Sequence, residues 1–497
     1  MDASHKGKDE NTLSTLSLVG NRENSHTKMR EIAFLIYLVV VLGIGFWVAR
    51  YIRTHKDYYI GGKKLPGWAL ALSERSTDMS AWLMLSVPAL AYTLGVSALW
   101  VPFGCFLGSI IQWVFYSKRL REERDKYDAI TVVDYLAKKH IDGAKTIRII
   151  GAVICFVFFT AYVSAQFAGG GKILARTFNI PMMTGMVTAA VIVIVYCIAG
   201  GFLSVVWTDV IQALLMVFTL VLVPIIGLFK LPIPLGEALK MAGPTITSWL
   251  GGVKGAPAAF LIGVHMSWIF GYLGGEPHFV IRQMAIRSEA ERKQAMAIAI
   301  VWGLLTTFGA WLLGLVALSM FGAEAVADPE EIMPYTVIHL TPPLLAGILL
   351  AGAIAGMMST ADSQLVVASS SIVQDLYCGI IKKGETRKEK VVILSRIITL
   401  IVGALAFVIA VTSERVVYTL VSYGWSGLAA AFAPAVTLSL WWKKFNKIGV
   451  CTSFIVGLVV TIVWIVTGLD KILTVRIASF GISMATAVVV TLIRSKA

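Results

Sequence analysis

Ser76-Thr77-Asp78-Met79-Ser80 sets an aspartate and three hydroxyls inside an apolar stretch long enough to cross a bilayer. Gly356-Met357-Met358-Ser359-Thr360-Ala361-Asp362-Ser363 repeats the combination near the other end of the chain. An ionised side chain at mid-membrane depth costs about 2.5 to 3.5 kcal/mol on insertion scales, so such groups usually have a job there. Small hydroxyls and freed backbone beside a carboxylate form an all-oxygen environment, which suits a hard cation held with little water. Two such segments in one multi-span chain predict an ion site where two helices meet.

The chain has 497 residues, 57% of them hydrophobic and only 14% charged. A soluble chain would carry roughly a quarter charged residues. Apolar runs of spanning length recur from about residue 32 onward, so the expected class is an all-α integral membrane protein whose surroundings are a lipid bilayer. The net charge of +14 would suit a nucleic-acid partner. The positive residues sit in short loops between spans, however, and the cytoplasmic excess of Lys and Arg accounts for them; no nucleic-acid partner is expected. The five cysteines fall mostly in apolar stretches without metal-type spacing and read as small core residues. His265 reads as a packed polar residue rather than a proton relay.

Hydropathy predicts about 13 spans. Residues 1–30 form a polar tail expected to be disordered, 31–66 an extra first span and loop, 67–441 the core, and 442–497 two further spans. Loops near 53–66, 118–146, 278–294, 377–390 and 442–447 carry the positive charge, which places the N-terminus outside and the C-terminus in the cytoplasm. Two spans read as interrupted. One carries Ser73-Glu74-Arg75-Ser76-Thr77-Asp78 in its middle, and the other Gly271-Tyr272-Leu273-Gly274-Gly275-Glu276-Pro277. Side-chain hydrogen bonding to the backbone in the first, and glycine and proline in the second, disfavour continuous helix. Broken helices in matching positions five spans apart predict an inverted five-plus-five repeat with its central site at the breaks.

These residues resemble the sodium/solute symporter family, most like its sodium/proline branch. The likeness rests on Tyr58 through Leu65, Ser76 through Leu83, Trp207-Thr208-Asp209-Val210-Ile211-Gln212-Ala213, Tyr272 through His278, and Met358 through Leu365. It covers nearly all of the chain from about residue 30 and implies the leucine-transporter fold. It further implies a sodium ion held by the carbonyls of Ser76, Met79 and Gly356 and the hydroxyls of Ser359 and Thr360. Asp78 would support that site; Asp209, Asp362 and Ser363 would support it or form a second one. Neutral dipoles suffice for sodium, so no carboxylate need touch the ion. The resemblance implies sodium as the coupling ion, with lithium or protons open as substitutes in an oxygen-lined site, and no other cofactor.

The resemblance places a small zwitterionic solute such as proline against Ser80, Ala81, Tyr162, Trp268, Tyr272 and Pro277. Half-helix N-termini at the breaks would favour its carboxylate. This chain departs from the proline branch at Ala81, at Glu276 with its extra glycine, at Glu74-Arg75, and at Lys63. Arg75 and Glu276 are therefore expected as gate or pocket charges, either paired across the two breaks or with Arg75 instead reaching into a wet cytoplasmic vestibule. The function implied is sodium-coupled import by alternating access across the plasma membrane, without enzymatic chemistry. Other small carboxylates or polar amino acids stay open as solutes, as does a transporter-like solute sensor.

Overall fold

The computed structural model describes residues 6–51, 60–61, 65–381, 388–413 and 417–494. Most of the Tyr58–Leu65 motif, Lys63 included, and parts of the loops 53–66 and 377–390 lie outside the described residues. Among those described there are helices and loops and no strand. The first helix, α1, spans Lys6–Ala49, and its apolar, membrane-length part is Ser25–Val48. The helix reaches back into the polar tail where no order was expected, a stretch that contains no proline to stop it.

Next come α2 (Gly67–Ala81) and α3 (Val87–Leu94), two parts of one interrupted crossing. The interruption falls at Ser80 (φ 35°, ψ −176°), later than the 73–78 stretch that the sequence suggested. The polar side chains of 73–78 do not compete for their own backbone, because other helices partner them, as described below. The break is stabilised where it occurs: Gln166 Oε1 accepts from the Ala81 amide at 2.9 Å and Ser80 Oγ from the Trp82 amide at 3.1 Å.

The chain turns at Gly95 (φ 67°), where a Cβ would meet the Ile246 carbonyl at 2.2 Å. It continues through α4 (Trp100–Ile111), α5 (Ser117–Tyr127), α6 (Val132–Lys139) and α7 (Ala144–Phe178). Then α8 (Met182–Lys230) bends at Gly201 (φ 54°). The second interrupted crossing consists of α9 (Ala256–Met266), α10 (Ile269–Tyr272) and α11 (Pro277–Ala285), bent by 42°. Its irregular residues surround Gly274 (φ 81°), within the stretch that the sequence marked. Arg282, assigned from sequence to the loop 278–294, lies instead in α11 with 1% exposure.

The remaining helices are α12 (Glu289–Phe321), the short α13 (Ile332–Leu340), α14 (Pro343–Ser370), α15 (Lys388–Thr412), α16 (Val417–Trp441), α17 (Lys447–Thr467) and α18 (Val475–Arg494). Among the described residues nine helices are long and apolar enough to cross a membrane, ten if the bent pair is one span. The expectation of about 13 is not reproduced by that measure. Gly67–Tyr127 enters it as one run despite the turn at Gly95, and Met182–Ile198 is shorter than the rest.

The most enclosed element is α14, which packs against α1, α2, α7 and α8. Small residues let the backbones approach: at Gly352 a Cβ would stand 2.5 Å from Thr219 Oγ1 and 2.7 Å from the Leu215 carbonyl. Lipid-length apolar side chains such as Val191, Ile397 and Val459 stay exposed on the outside. In contrast, α2 turns Ser73 through Ser80 entirely inward.

Candidate functional site

Where α2 ends it touches the middle of α14. Ser359 Oγ donates to the Ser76 carbonyl at 3.0 Å and to the Gly356 carbonyl at 3.1 Å. Thr360 Oγ1 donates to the Thr77 carbonyl at 2.8 Å and to the Gly356 carbonyl at 2.9 Å. Three carbonyls and two hydroxyls therefore converge, all buried. The break explains why the Thr77 carbonyl takes part. In a continuous helix the Ala81 amide would bond it, but that amide is held by Gln166.

Four of the five expected ion ligands, Ser76, Gly356, Ser359 and Thr360, meet here. Met79 does not join them: its carbonyl accepts the Trp82 amide across the break. Thr77 joins them although the resemblance does not name it; the break at Ser80, two residues beyond the 73–78 stretch, frees its carbonyl. Among the described residues no group of three or more His, Cys, Asp or Glu is arranged to hold a metal ion. A cation in this cluster would rest on neutral oxygens.

Asp78 faces away from these oxygens. It accepts the Tyr272 hydroxyl at 2.8 and 3.0 Å and pairs with Arg75 Nη1 at 3.1 Å, so it ties the two interrupted crossings together. Arg75 also engages Glu74 through two hydrogen bonds of 2.6 and 2.7 Å. The expected Arg75–Glu276 pair does not form. A carboxylate in the adjacent position and another one turn on already satisfy the guanidinium.

Asp209, Asp362 and Ser363 do come together, around an arginine that the sequence reading overlooked. Arg282 Nη2 stands 3.0 Å from Asp209 Oδ2 and 2.5 Å from Ser363 Oγ, while its Nε donates to Ser73 Oγ at 2.7 Å. Ser73 in turn donates to Asp209 at 2.6 Å. Asp362 accepts the hydroxyls of Tyr196 and Ser363. Arginine is always charged in proteins. A fixed cation thus occupies the position expected for a second ion. The signal that could have found it is the place of Arg282 five residues after Pro277, too near a helix start to be free loop.

The six solute positions are all buried. Trp268 is the hub, with ring centroids of Trp82, Tyr418 and Trp425 at 5.0, 5.6 and 5.7 Å. Trp425, also 5.1 Å from Tyr272, was not anticipated. Gly271 makes room for it: a Cβ there would lie 2.2 Å from the indole. Phe159 and Tyr162 approach the His278 ring at 5.4 and 6.4 Å. Glu276 is wholly enclosed, and among the described residues neither of its oxygens has a hydrogen-bond partner; His278 Nδ1 is 3.4 Å away. Gln166 Nε2 and Trp268 Nε1 are likewise unpartnered. Buried polar groups without partners are rare and costly, about 1 to 3 kcal/mol each, which marks this region as one built for something polar to enter.

Residues 58–457 match the model of the sodium:solute symporter family. The chain is 32% identical over 469 residues to the osmoregulated proline transporter OpuE of Bacillus subtilis, covering 93% of this chain and 94% of that one. It is 34% identical over 447 residues to the high-affinity proline transporter PutP of the same organism, covering 89% and 94%. It is 33% identical over 440 residues to the sodium/proline symporter of Escherichia coli, covering 87% of each. The fold superposes on a Na+-coupled sialic acid symporter, in a substrate-bound outward-open state, with a TM-score of 0.74 at 20% identity, covering 93% of this chain and 98% of that one. A closed nucleobase-cation-symport-1 family transporter superposes with a TM-score of 0.51 at 15% identity, covering 87% and 94%. With its two interrupted crossings meeting a buried, hydroxyl-bearing helix, this chain is a multi-pass membrane transporter and belongs to the sodium:solute symporter family.

Proposed function

We propose that this transporter couples sodium entry to the import of proline or a closely related amino acid. The observation that carries the reading is the pair of hydroxyls on α14, Ser359 and Thr360, each reaching a carbonyl of α2 just before its break. Sodium entering this cluster would turn those hydroxyl oxygens toward itself, with the carbonyls of Ser76, Thr77 and Gly356 as further ligands. The Met79 carbonyl, which the resemblance names, would complete the shell if the break rearranges and releases it from the Trp82 amide. Such an ion is bound by two helices at once, so it draws them together and orders Ser80. That ordering raises affinity for a solute beside Ser80 and Ala81, and the solute must tighten sodium by the same factor.

Asp209, Arg282, Ser363 and Asp362 are read as a lock that holds α2, α8, α11 and α14 in register. A second ion among them would have to displace or outcompete a guanidinium. One sodium per zwitterion then carries one net charge, worth about 2.3 kcal/mol per 100 mV of membrane potential. Tyr162, Trp268, Tyr272 and Pro277 supply the walls of the solute pocket, and Glu276 offers its unpartnered carboxylate to the solute's ammonium. The positive loops support an orientation with the C-terminus in the cytoplasm and the N-terminus outside, in the plasma membrane. The relatives named for proline make it the first solute to test.

The test is uptake of radiolabelled L-proline into proteoliposomes containing the purified chain, driven by sodium or by potassium. Accumulation only with an inward sodium gradient is the expected result. Equal uptake with either cation would contradict coupling, and uptake of another amino acid in place of proline would change the solute alone.

A further inference from the structure

Arg476 belongs to α18, outside the five-plus-five core, yet its side chain is buried (5% exposed) against the solute-pocket wall. Its Nε donates to Ser267 Oγ at 2.8 Å, its Nη1 to Ser422 Oγ at 2.5 Å, and its Nη2 approaches the Val264 carbonyl at 3.4 Å. The guanidinium carbon lies 4.5 Å from the centre of the Trp268 ring. All these partners are neutral, and among the described residues Arg476 makes no ion pair. The other deeply buried arginines differ: Arg75 and Arg282 each hold a carboxylate. Burying a charge without a counter-ion costs several kcal/mol, so an unpaired one implies an anion that comes and goes.

There is room for that anion. Arg476 lines a cavity of about 390 Å³ together with Val264, His265, Tyr418 and Ser422. Exposed Asp470 and Lys471 also border it, and Asp470 Oδ1 is engaged by the Val475 amide at 2.6 Å. His265 Nδ1 has no partner among the described residues. Tyr418 is shared with a neighbouring cavity bordered by Asp328 and Glu330, which puts both on the face of the acidic loop 322–331. Arg476 covers one side of the Trp268 ring, whose other aromatic neighbours include Trp82 and Trp425.

We propose that the cavity is a staging site in which Arg476 takes the carboxylate of an incoming amino acid before Trp268 yields to admit it. The proposal rests on the amino-acid reading above and adds a first, sodium-independent docking step to it. On that reading sodium assembles the central site, so a solute response without sodium that also depends on Arg476 is the signature of the outer cavity.

The experiment is the thermal unfolding midpoint of the detergent-purified full chain in sodium-free buffer, titrated with L-proline and with L-prolinamide, which lacks the carboxylate. The wild type is expected to be stabilised by millimolar L-proline at least tenfold more effectively than by L-prolinamide. Arg476→Met should abolish the difference, and Arg476→Lys should restore part of it. Should Arg476→Met not fold, Ser422→Asp, which sets a carboxylate beside the guanidinium, should remove the proline response equally. In proteoliposomes Arg476→Met should raise KM for proline about tenfold and leave kcat within twofold. A wild type that responds equally to both compounds, or to neither, overturns the proposal, as does Arg476→Met with an intact proline response. Loss of sodium dependence in uptake bears instead on the coupling mechanism.

Discussion

Single buried side chains in this protein hold several partners at once, and the Arg282 cluster is the sharpest case. Breaking a buried ion pair by deleting one partner costs about 3 to 5 kcal/mol, because the other charge is stranded. Arg282→Met is therefore expected to lower the thermal midpoint severely, and Arg282→Gln combined with Asp209→Asn to recover part of the loss. A double variant whose loss equals the sum of the two single losses would show that the charges act independently. Arg75 makes a second case. Glu74 and Asp78 hold it, so neutralising Arg75 and Glu276 should have additive effects on transport, whereas neutralising Arg75 and Glu74 should not. Non-additivity for Arg75 with Glu276 would mean that the two meet in another state of the cycle. At this scale the sequence identified which residues are polar and deep, yet it mispaired them. A nearest neighbour in space, such as Tyr272 for Asp78, lies 194 positions away along the chain.

Between elements, the break at Ser80 and the acidic loop before α13 set what can move. Ser80 adopts a positive φ that costs a non-glycine residue about 1 to 3 kcal/mol, so its surroundings must enforce it. Ser80→Gly is expected to keep the fold and thermal midpoint, and Ser80→Val to lower the midpoint. The reverse order would argue against strain at this position. On the acidic-loop face, Glu330 accepts from Ser86 Oγ at 2.9 Å and from the amides of Val417 and Tyr418 at 3.1 and 3.0 Å. It also pairs with Lys172 at 2.6 Å. One carboxylate thus clasps α7 and the starts of α3 and α16, elements that must part to open this face. Glu330→Gln should raise the reactivity of a cysteine introduced at Ser86 toward an impermeant thiol reagent. Unchanged reactivity would remove the clasp from the account. Hydropathy located both interrupted crossings; where the first breaks depended on Gln166, a residue of another helix.

Across the whole molecule, the five-plus-five arrangement brings two chain segments some 280 residues apart into hydrogen-bonding contact. That encounter was legible in the sequence because hydroxyls and carboxylates at membrane depth have few other uses. The span count was less legible, since Gly67–Tyr127 runs through its turn as one apolar stretch and Met182–Ile198 falls short of the rest. The aromatic wall was half visible: Trp268 and Tyr272 share a helical face, while Trp425 arrives from α16 and needed the fold to place it. Packing of this kind joins the ion cluster to the solute pocket through α2 and α7, both of which lie on α14. A change at Ser359 should then be felt in the solute's apparent affinity by way of the sodium that the helix retains.

The most direct measurement is the sodium concentration that gives half-maximal L-proline uptake in the Ser359→Ala, Thr360→Ala double variant, beside its thermal midpoint without sodium. Loss of both hydroxyls should raise that concentration at least tenfold while the protein stays folded. An unchanged sodium requirement in a folded double variant would place the coupling ion elsewhere.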